Sequence, residues 1–463
     1  WRFEDITEAA GVGGPEAGHW TTGATMADVD GDGWLDLYVS YFSGFMGQKG
    51  RHELFINQRD GTFREEAEAW GIARAGYGTQ GVFFDYDRDG DLDLFQLNHS
   101  VHPASTVGDT SQRRWRDPLA GDRLYQQDNG RFVEVTEAAR IFSSRLGYGL
   151  SAMATDVDGD GWTDLYVCND FHEDDYLYLN QGDGTFREGL REKVGHTTRF
   201  SMGSDWSDLN QDGLPDLLTL DMKPEREAIR KTAEPPETWD VFQLKLRFGY
   251  YYQYPHNALQ VSQGGGRFAE LAQLAGVDAT DWSWSALFAD LDNDGREDLF
   301  ITNGIYRRPN DMDYMKFISD PEVVRQLSGA PSAQDLAFIE QMPSIPLPNY
   351  LYRQAGELVF QNVAEAWGLA EPGFSNGAAY ADLDRDGDLD LVVNNLEAPV
   401  SLYENRSRPR DSLHYIRLRL VGEGKNPYAI GARVWAWAGG AMQYRELQPV
   451  RGFLSSVEPV LHI

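Results

Sequence analysis

Six nine-residue stretches decide the fold: DVDGDGWLD (28–36), DYDRDGDLD (85–93), DVDGDGWTD (156–164), DLNQDGLPD (208–216), DLDNDGRED (290–298) and DLDRDGDLD (382–390). Each places a carboxylate or carboxamide at positions one, three, five and nine, and glycine at position six. Working outward, a small, apolar run precedes most of them (GATMA, GVFF, SAMAT, SALFA, GAAYA). A β-type run follows each (DLYV, DLFQ, DLYV, DLLT, DLFI, DLVV). Most repeats then continue into a strand containing Asn or Gln, a turn and a further strand, as in LFINQRDGTFREEAEAWGI and LYLNQGDGTFREGL. Strand, loop, strand, strand, turn, strand is one four-stranded blade. So small a sheet cannot bury both faces alone, and blades must stack around an axis. The expected fold is therefore all-β, a propeller of six or seven blades.

The first aspartates stand 57, 71, 52, 82 and 92 residues apart, so the shortest gap approximates a bare blade and the excess is insertion. Two insertions read as helical, at about 222–247 and 311–342. The chain opens on WRFEDITEAAGV, which matches the outer-strand signature RFVEVTEAARI at 131–141. That half-repeat either closes a six-bladed ring or follows a blade upstream of Trp1. The propeller is expected over 1–407 and a small β domain over 411–463.

Oxygens at positions one, three, five and nine converge only if the chain turns sharply, which a glycine at position six permits. The expected ligands are Asp28, Asp30, Asp32 and Asp36; Asp85, Asp87, Asp89 and Asp93; and Asp156, Asp158, Asp160 and Asp164. The other three loops supply Asp208, Asn210, Asp212 and Asp216; Asp290, Asp292, Asp294 and Asp298; and Asp382, Asp384, Asp386 and Asp390. Backbone carbonyls at position seven (Trp34, Asp91, Trp162, Leu214, Arg296, Asp388) complete each set. A hard, all-oxygen set suits Ca2+, about one per loop, in a structural role. Position twelve is Val39, Gln96, Val167, Thr219, Ile301 or Val393, never the bidentate glutamate of a calcium-sensing helix–loop–helix unit.

Composition agrees. Hydrophobic residues make up 41% and aromatics 13% of 463 residues, enough for a large core. The formal charge of −32 argues against nucleic-acid binding, which needs a basic face. Twenty-three of the acidic side chains occupy positions one, three, five and nine of the six loops. The lone cysteine, Cys168, lies in an apolar run and reads as a buried, inert thiol without an intrachain disulfide. No run of eighteen apolar residues spans a membrane.

The aspartate loops and their flanking strands, over residues 1 to about 405, resemble the FG-GAP or VCBS repeat family, the propeller of integrin α-chain heads. The tail, HYIRLRLVGEGKNPYAIGARVWAWAGG and QYRELQPVRGFLSSVEPVLHI, resembles the ASPIC/UnbV domain that follows such propellers in cartilage-acidic-protein-like chains. Asn426, Ile430–Arg433 and Gly452-Phe453 leading to His462 carry that likeness. The resemblance implies an exported or cell-surface protein, with a leader upstream of Trp1 and further strands beyond Ile463. Some members of the family lie near TonB-dependent uptake systems, so such a complex is a candidate partner by resemblance, while the residues themselves lead to the expectation of a protein, peptide or glycan partner.

The metal loop joins the first and second strands, so all six loops fall on one face and the remaining connections on the other. That other face is the expected ligand face, with His19, His99, His102, His172, Glu173, Asp174, Arg199, Trp282, Trp284, Arg307, Arg308 and Asp311 as candidates. A binding module is the leading reading. An enzyme using the axial pocket and a scaffold subunit are the alternatives. No GxSxG, HExxH or phosphate loop occurs, and Gly264–Gly266 reads as a hairpin turn.

Overall fold

In the computed structural model, residues 1–14, 18–102, 108–233, 237–326, 333–407 and 415–463 are described. Parts of both expected helical insertions (234–236 and 327–332) and the expected domain junction at 407–411 fall outside them in whole or part.

Among the described residues, six antiparallel meanders form the blades of a six-bladed β-propeller. Blade 3 is representative: Gly149–Thr155, Asp164–Asn169, Tyr176–Asn180 and Phe186–Glu188 pair in chain order from the axis outward. The other inner strands are Thr21–Ala27, Gly78–Phe84, Ser204–Ser207, Ser283–Ala289 and Ser375–Ala381. Consecutive inner strands pack side by side, and the core lies between blades, as where Phe95, Leu124, Leu165 and Tyr178 meet between blades 2 and 3. Cys168 is fully buried in the next such core, with Trp206 and Leu217 of blade 4.

One device holds every loop in the ring, and a second ties four of them to the next blade. The ninth-position aspartate turns back so that one oxygen accepts the second-position N–H and the other an N–H of the third strand. Asp164 does this with Val157 (3.0 Å) and Asn180 (2.7 Å). Asp36, Asp93, Asp216, Asp298 and Asp390 repeat it. The amide ending the third strand then donates to the second-position carbonyl of the preceding blade. Gln127 reaches Val29, Asn180 reaches Tyr86, Gln354 reaches Leu209 and Asn405 reaches Leu291. The Asn/Gln signature is thus an inter-blade staple, satisfying carbonyls that burial would otherwise leave costly.

Blade 6 has three strands among the described residues, ending at Ser401–Tyr403. The N-terminal half-repeat lies at the right junction. A Cβ at Gly11 would sit 3.1 Å from the Phe63 carbonyl, as one at Gly71 would sit 2.9 Å from that of Phe132, one blade on. Residues 1–6 form no strand, however, and Phe3 is 62% exposed. The expected fourth strand is therefore not paired.

Both insertions are helical, with Glu227–Thr232 and Trp239–Arg247 in the first and Met312–Ile318, Pro321–Val324 and Ala333–Ile339 in the second. The tail carries two short hairpins, Arg433–Ala438 with Ala441–Glu446 and Val450–Arg451 with Ser455–Ser456. It does not stand apart from the propeller. The second hairpin enters the axial channel and meets all six inner strands. Ser151 donates to the Gly452 carbonyl (2.8 Å), Gly452 N–H donates to Ser204 (3.1 Å) and Phe453 N–H to Ser285 (3.2 Å). Gln80 reaches Ser455, and Ser455–Ser456 packs between the inner strands of blades 1 and 6.

Candidate functional site

Each aspartate loop is organised by its own carboxylates. In loop 1, Asp28 accepts N–H bonds from Asp32 (3.0 Å) and Gly33 (2.7 Å), and Asp32 accepts one from Trp34 (2.8 Å). Gly33, Gly90, Gly161, Gly213, Gly295 and Gly387 have φ between 85° and 100°, the left-handed region where only glycine is unstrained. Position four is left-handed as well, in Gly31, Arg88, Gly159, Gln211, Asn293 and Arg385. Nothing in those residue types announced it. Non-glycine residues there carry a cost of about 1–2 kcal/mol that the surrounding bonds must offset.

These turns bring together the carboxylates of Asp28, Asp30 and Asp32; of Asp85, Asp87 and Asp93; of Asp156, Asp158 and Asp164; and of Asp290, Asp292 and Asp294, each set having ligand oxygens within 4.8 Å. Buried oxygens of Asp85, Asp91, Asp158, Asp292 and Asp388 have no hydrogen-bond partner. An orphaned buried carboxylate oxygen is costly, and a divalent cation is the partner this chemistry fits. Burial pushes the Asp28, Asp85 and Asp208 carboxyls up to about 6 and Asp290 to about 7. For the ninth-position groups it reaches about 7 at Asp36 and Asp216, about 8 at Asp164 and Asp298, and about 9 at Asp93.

Basic side chains from the tail arrive at this same face. Arg433 pairs with Asp156, Lys425 with Asp91 (3.1 Å), Arg417 with Asp382 (3.5 Å) and Arg445 with Glu297. Tyr428 donates to the Gly33 carbonyl, and Met442 and Trp435 lie beside Gly213. The tail thus touches all six loops. No charge pattern in the propeller sequence indicated it.

Among single changes, Asp156→Ala is expected to lower the melting temperature more than Asp158→Asn. The first removes the acceptor of the Gly159 and Gly161 N–H groups and the partner of Arg433. The second keeps a side-chain oxygen at position three, where Asn210 already stands. Equal melting curves would refute the ranking.

The candidates expected on the opposite face divide into two groups. Glu173, Asp174, Arg199 and Arg308 were expected as ligand groups but lie in the interior, each no more than 3% exposed. Arg113 grips Glu173 and Asp174, and Arg308 grips Asp281. Arg199 bonds His172 (3.1 Å) and faces Glu237 at 3.7 Å. These pairs roof the face rather than project from it. Arg113 comes from blade 2 and Asp174 from blade 3, while Tyr251 of the blade 4 insertion donates its N–H to Asp174. Trp284 is also structural: its indole N–H donates to the Gly304 carbonyl and its ring packs 4.9 Å from Phe453 of the tail. Trp282 is partly buried, packed against the core of blades 4 and 5. Asp311 caps the helix Met312–Ile318. Burial brings the His99 imidazole down to about 4, and His102 faces Asp117 at 3.7 Å. His19 bridges to Lys49 in the blade 1 entry, and Arg307 holds the carbonyls of Glu340 and Met342. The face itself is exposed and aromatic: Trp20, Trp115, Trp239, Tyr252 and Tyr254 are each at least 40% accessible.

FG-GAP-like repeats match residues 42–95, 156–219 and 248–301, and the ASPIC and UnbV family matches residues 422–463. The propeller carries FG-GAP-like repeats, and its tail matches the ASPIC and UnbV family. It is 24% identical to human cartilage acidic protein 1 over 459 residues, 95% of this chain and 57% of that protein, so it spans little more than half of the relative's length. Among solved structures, an exotype rhamnogalacturonan lyase aligns at 11% identity and TM-score 0.35, covering 84% of this chain and 73% of the lyase. A Bacillus licheniformis rhamnogalacturonan lyase aligns at 10% identity and TM-score 0.34, covering 84% and 72%. In the FG-GAP-like propeller, the ASPIC and UnbV match coincides with the segment that plugs the axis. No helix among the described residues is long and apolar enough to cross a membrane.

Proposed function

We propose that this FG-GAP-like propeller is an exported, calcium-stabilised interaction module that engages a protein, peptide or glycan partner through the face opposite its aspartate loops. One observation carries the reading: the tail engages all six loops and fills the axis, while the opposite face presents Trp20, Trp115, Trp239, Tyr252 and Tyr254 to solvent. Exposed aromatics on a rigid scaffold supply contact area at low entropic cost and are the residues most often dominant in binding. Calcium fits the oxygen-only loops, and affinities of about 10⁻⁴–10⁻³ M are typical of extracellular modules. Chemistry in the axial pocket is disfavoured, because Gly452 and Phe453 occupy it.

The test is a binding screen against glycan, peptide and surface-protein arrays, with the aromatic face as the variable. Trp239→Ala and Trp115→Ala are expected to weaken a hit about tenfold or more, the effect of losing a dominant interface residue, without changing the calcium-dependent melting temperature. A hit unaffected by both, but abolished by a change in the tail or loop face, would overturn the assignment of the face.

A further inference from the structure

Three residues far apart in sequence meet at the outer edge of blade 4, on the face away from the aspartate loops. His196 precedes the first strand of the blade. His256 ends the first insertion, and Glu270 closes the outer strand Phe268–Glu270. A short parallel pairing of Thr197–Thr198 with Gln253–Tyr254 draws the two histidines together, with ring centroids 5.4 Å apart. One ligand atom from each of His196, His256 and Glu270 falls within 4.8 Å of the others, and His196 Nε2 lies 3.8 Å from Glu270 Oε2.

The surrounding bonds orient all three donors. His256 Nδ1 donates to the Asn257 carbonyl (2.6 Å) and His196 Nδ1 to the Thr197 carbonyl (3.4 Å). Each bond places the proton on Nδ1 and leaves Nε2 with a free lone pair, the arrangement that prepares an imidazole for a metal. Glu270 Oε1 accepts N–H bonds from Ala272 (2.7 Å) and Leu259 (3.3 Å), which leaves Oε2 directed at the histidines. Gln260, the cross-strand partner of Glu270, is 2% exposed and donates its amide to the His196 carbonyl. Its own buried oxygen has no partner.

We propose that His196, His256 and Glu270 form a site for a borderline divalent transition-metal ion of the zinc class, separate from the calcium loops. Two imidazoles and one carboxylate suit such an ion and not calcium, which takes oxygen ligands. Three protein donors leave one tetrahedral position for water or a group from a partner. The site stands beside Tyr254, whose ring lies 4.9 Å from His196 and stacks on Phe242 of the insertion helix. A metal there would fasten the insertion to the blade.

The experiment is a Zn2+ titration of the whole chain in saturating calcium, which occupies the oxygen-only loops, with Co2+ as the spectroscopic probe. The expected result is one zinc-competent site with tetrahedral cobalt absorption. His196→Ala or His256→Ala should lower affinity about 100-fold or more, and Glu270→Gln should lower it about 10–100-fold. Calcium-dependent melting should stay at the wild-type value in all three. In the unmodified chain, zinc should also shield His196 and His256, but not His102, from diethyl pyrocarbonate, a readout that does not depend on a variant folding. Equal zinc affinity in the double variant His196→Ala/His256→Ala, or no shielding, would overturn the proposal.

Discussion

Removing calcium is expected to lower the melting temperature of this chain by on the order of 10 °C, and the loss should grow as the pH rises. At free calcium ten times the dissociation constant, each loop contributes about 1.4 kcal/mol by mass action, so six contribute about 8 kcal/mol. The pH dependence follows from the buried carboxylates. In the metal-free protein their folded-state values, about 6 to about 9, lie above the ordinary 3.8. A group raised in this way contributes stability that is fully present below about pH 4 and is lost as pH climbs through its folded value. The chelated protein should therefore weaken steadily from about pH 5 to about pH 8. Calcium binds the ionised form, so its addition should restore most at the alkaline end. Magnesium should restore less, because its octahedral demand fits an irregular cage poorly. Differential scanning calorimetry with and without EDTA across this range is the measurement. An unchanged curve, with calcium loss verified by elemental analysis, would refute the stabilising role.

Arg451→Met is expected to destabilise the protein by about 3–5 kcal/mol, the cost of leaving a buried charge without its counterion. Arg451 sits at the base of the axial hairpin. It donates to Asp205 (2.8 Å), the Trp206 carbonyl (2.6 Å) and the Tyr380 hydroxyl (2.6 Å), joining the tail to blades 4 and 6. Asp205 is fully buried and also receives the Phe288 N–H. Two controls separate lost charge from lost packing. The double variant Arg451→Met/Asp205→Asn should recover part of the deficit, since it removes the unpaired carboxylate. Gly452→Ala should be damaging for a different reason: φ is 69°, and a Cβ would fall 2.1 Å from Ser285 Oγ and 3.2 Å from the Ala286 carbonyl. Limited proteolysis should release the tail from either single variant before the blades are cut. If Arg451→Met melts within a degree of the parent, the plug does not hold the ring.

The residues that predicted the propeller act locally. An Asp-x-Asp-x-Asp-Gly turn closes through bonds between neighbours, as Asp28 does with Asp32 and Gly33, and the β-type runs beside it have little choice but to pair. Six repeats of such a unit specify stacked blades from the chain alone, and the oxygen ligands come with the turn. Even the Asn or Gln of the third strand was visible, although its target, a carbonyl one blade away, was not.

What the sequence could not declare depends on partners remote along the chain. Glu173, Arg199 and Arg308 read as loop residues free to bind a ligand. Only the packing of loops from several blades against the helical insertions buries them in ion pairs. His196, His256 and Glu270 carry no recognisable spacing, because two separate connections and a strand end bring them together. The tail's place in the axis was equally hidden. Its glycine-phenylalanine step carried the family likeness without showing that six inner strands surround it. Local turn chemistry is written in consecutive residues, so the sequence by itself determined the stacked blades and the six oxygen-lined loops between their first and second strands. Occupation of the channel by the tail is set by shape and charge complementarity across several hundred residues, and only the tertiary structure decided it.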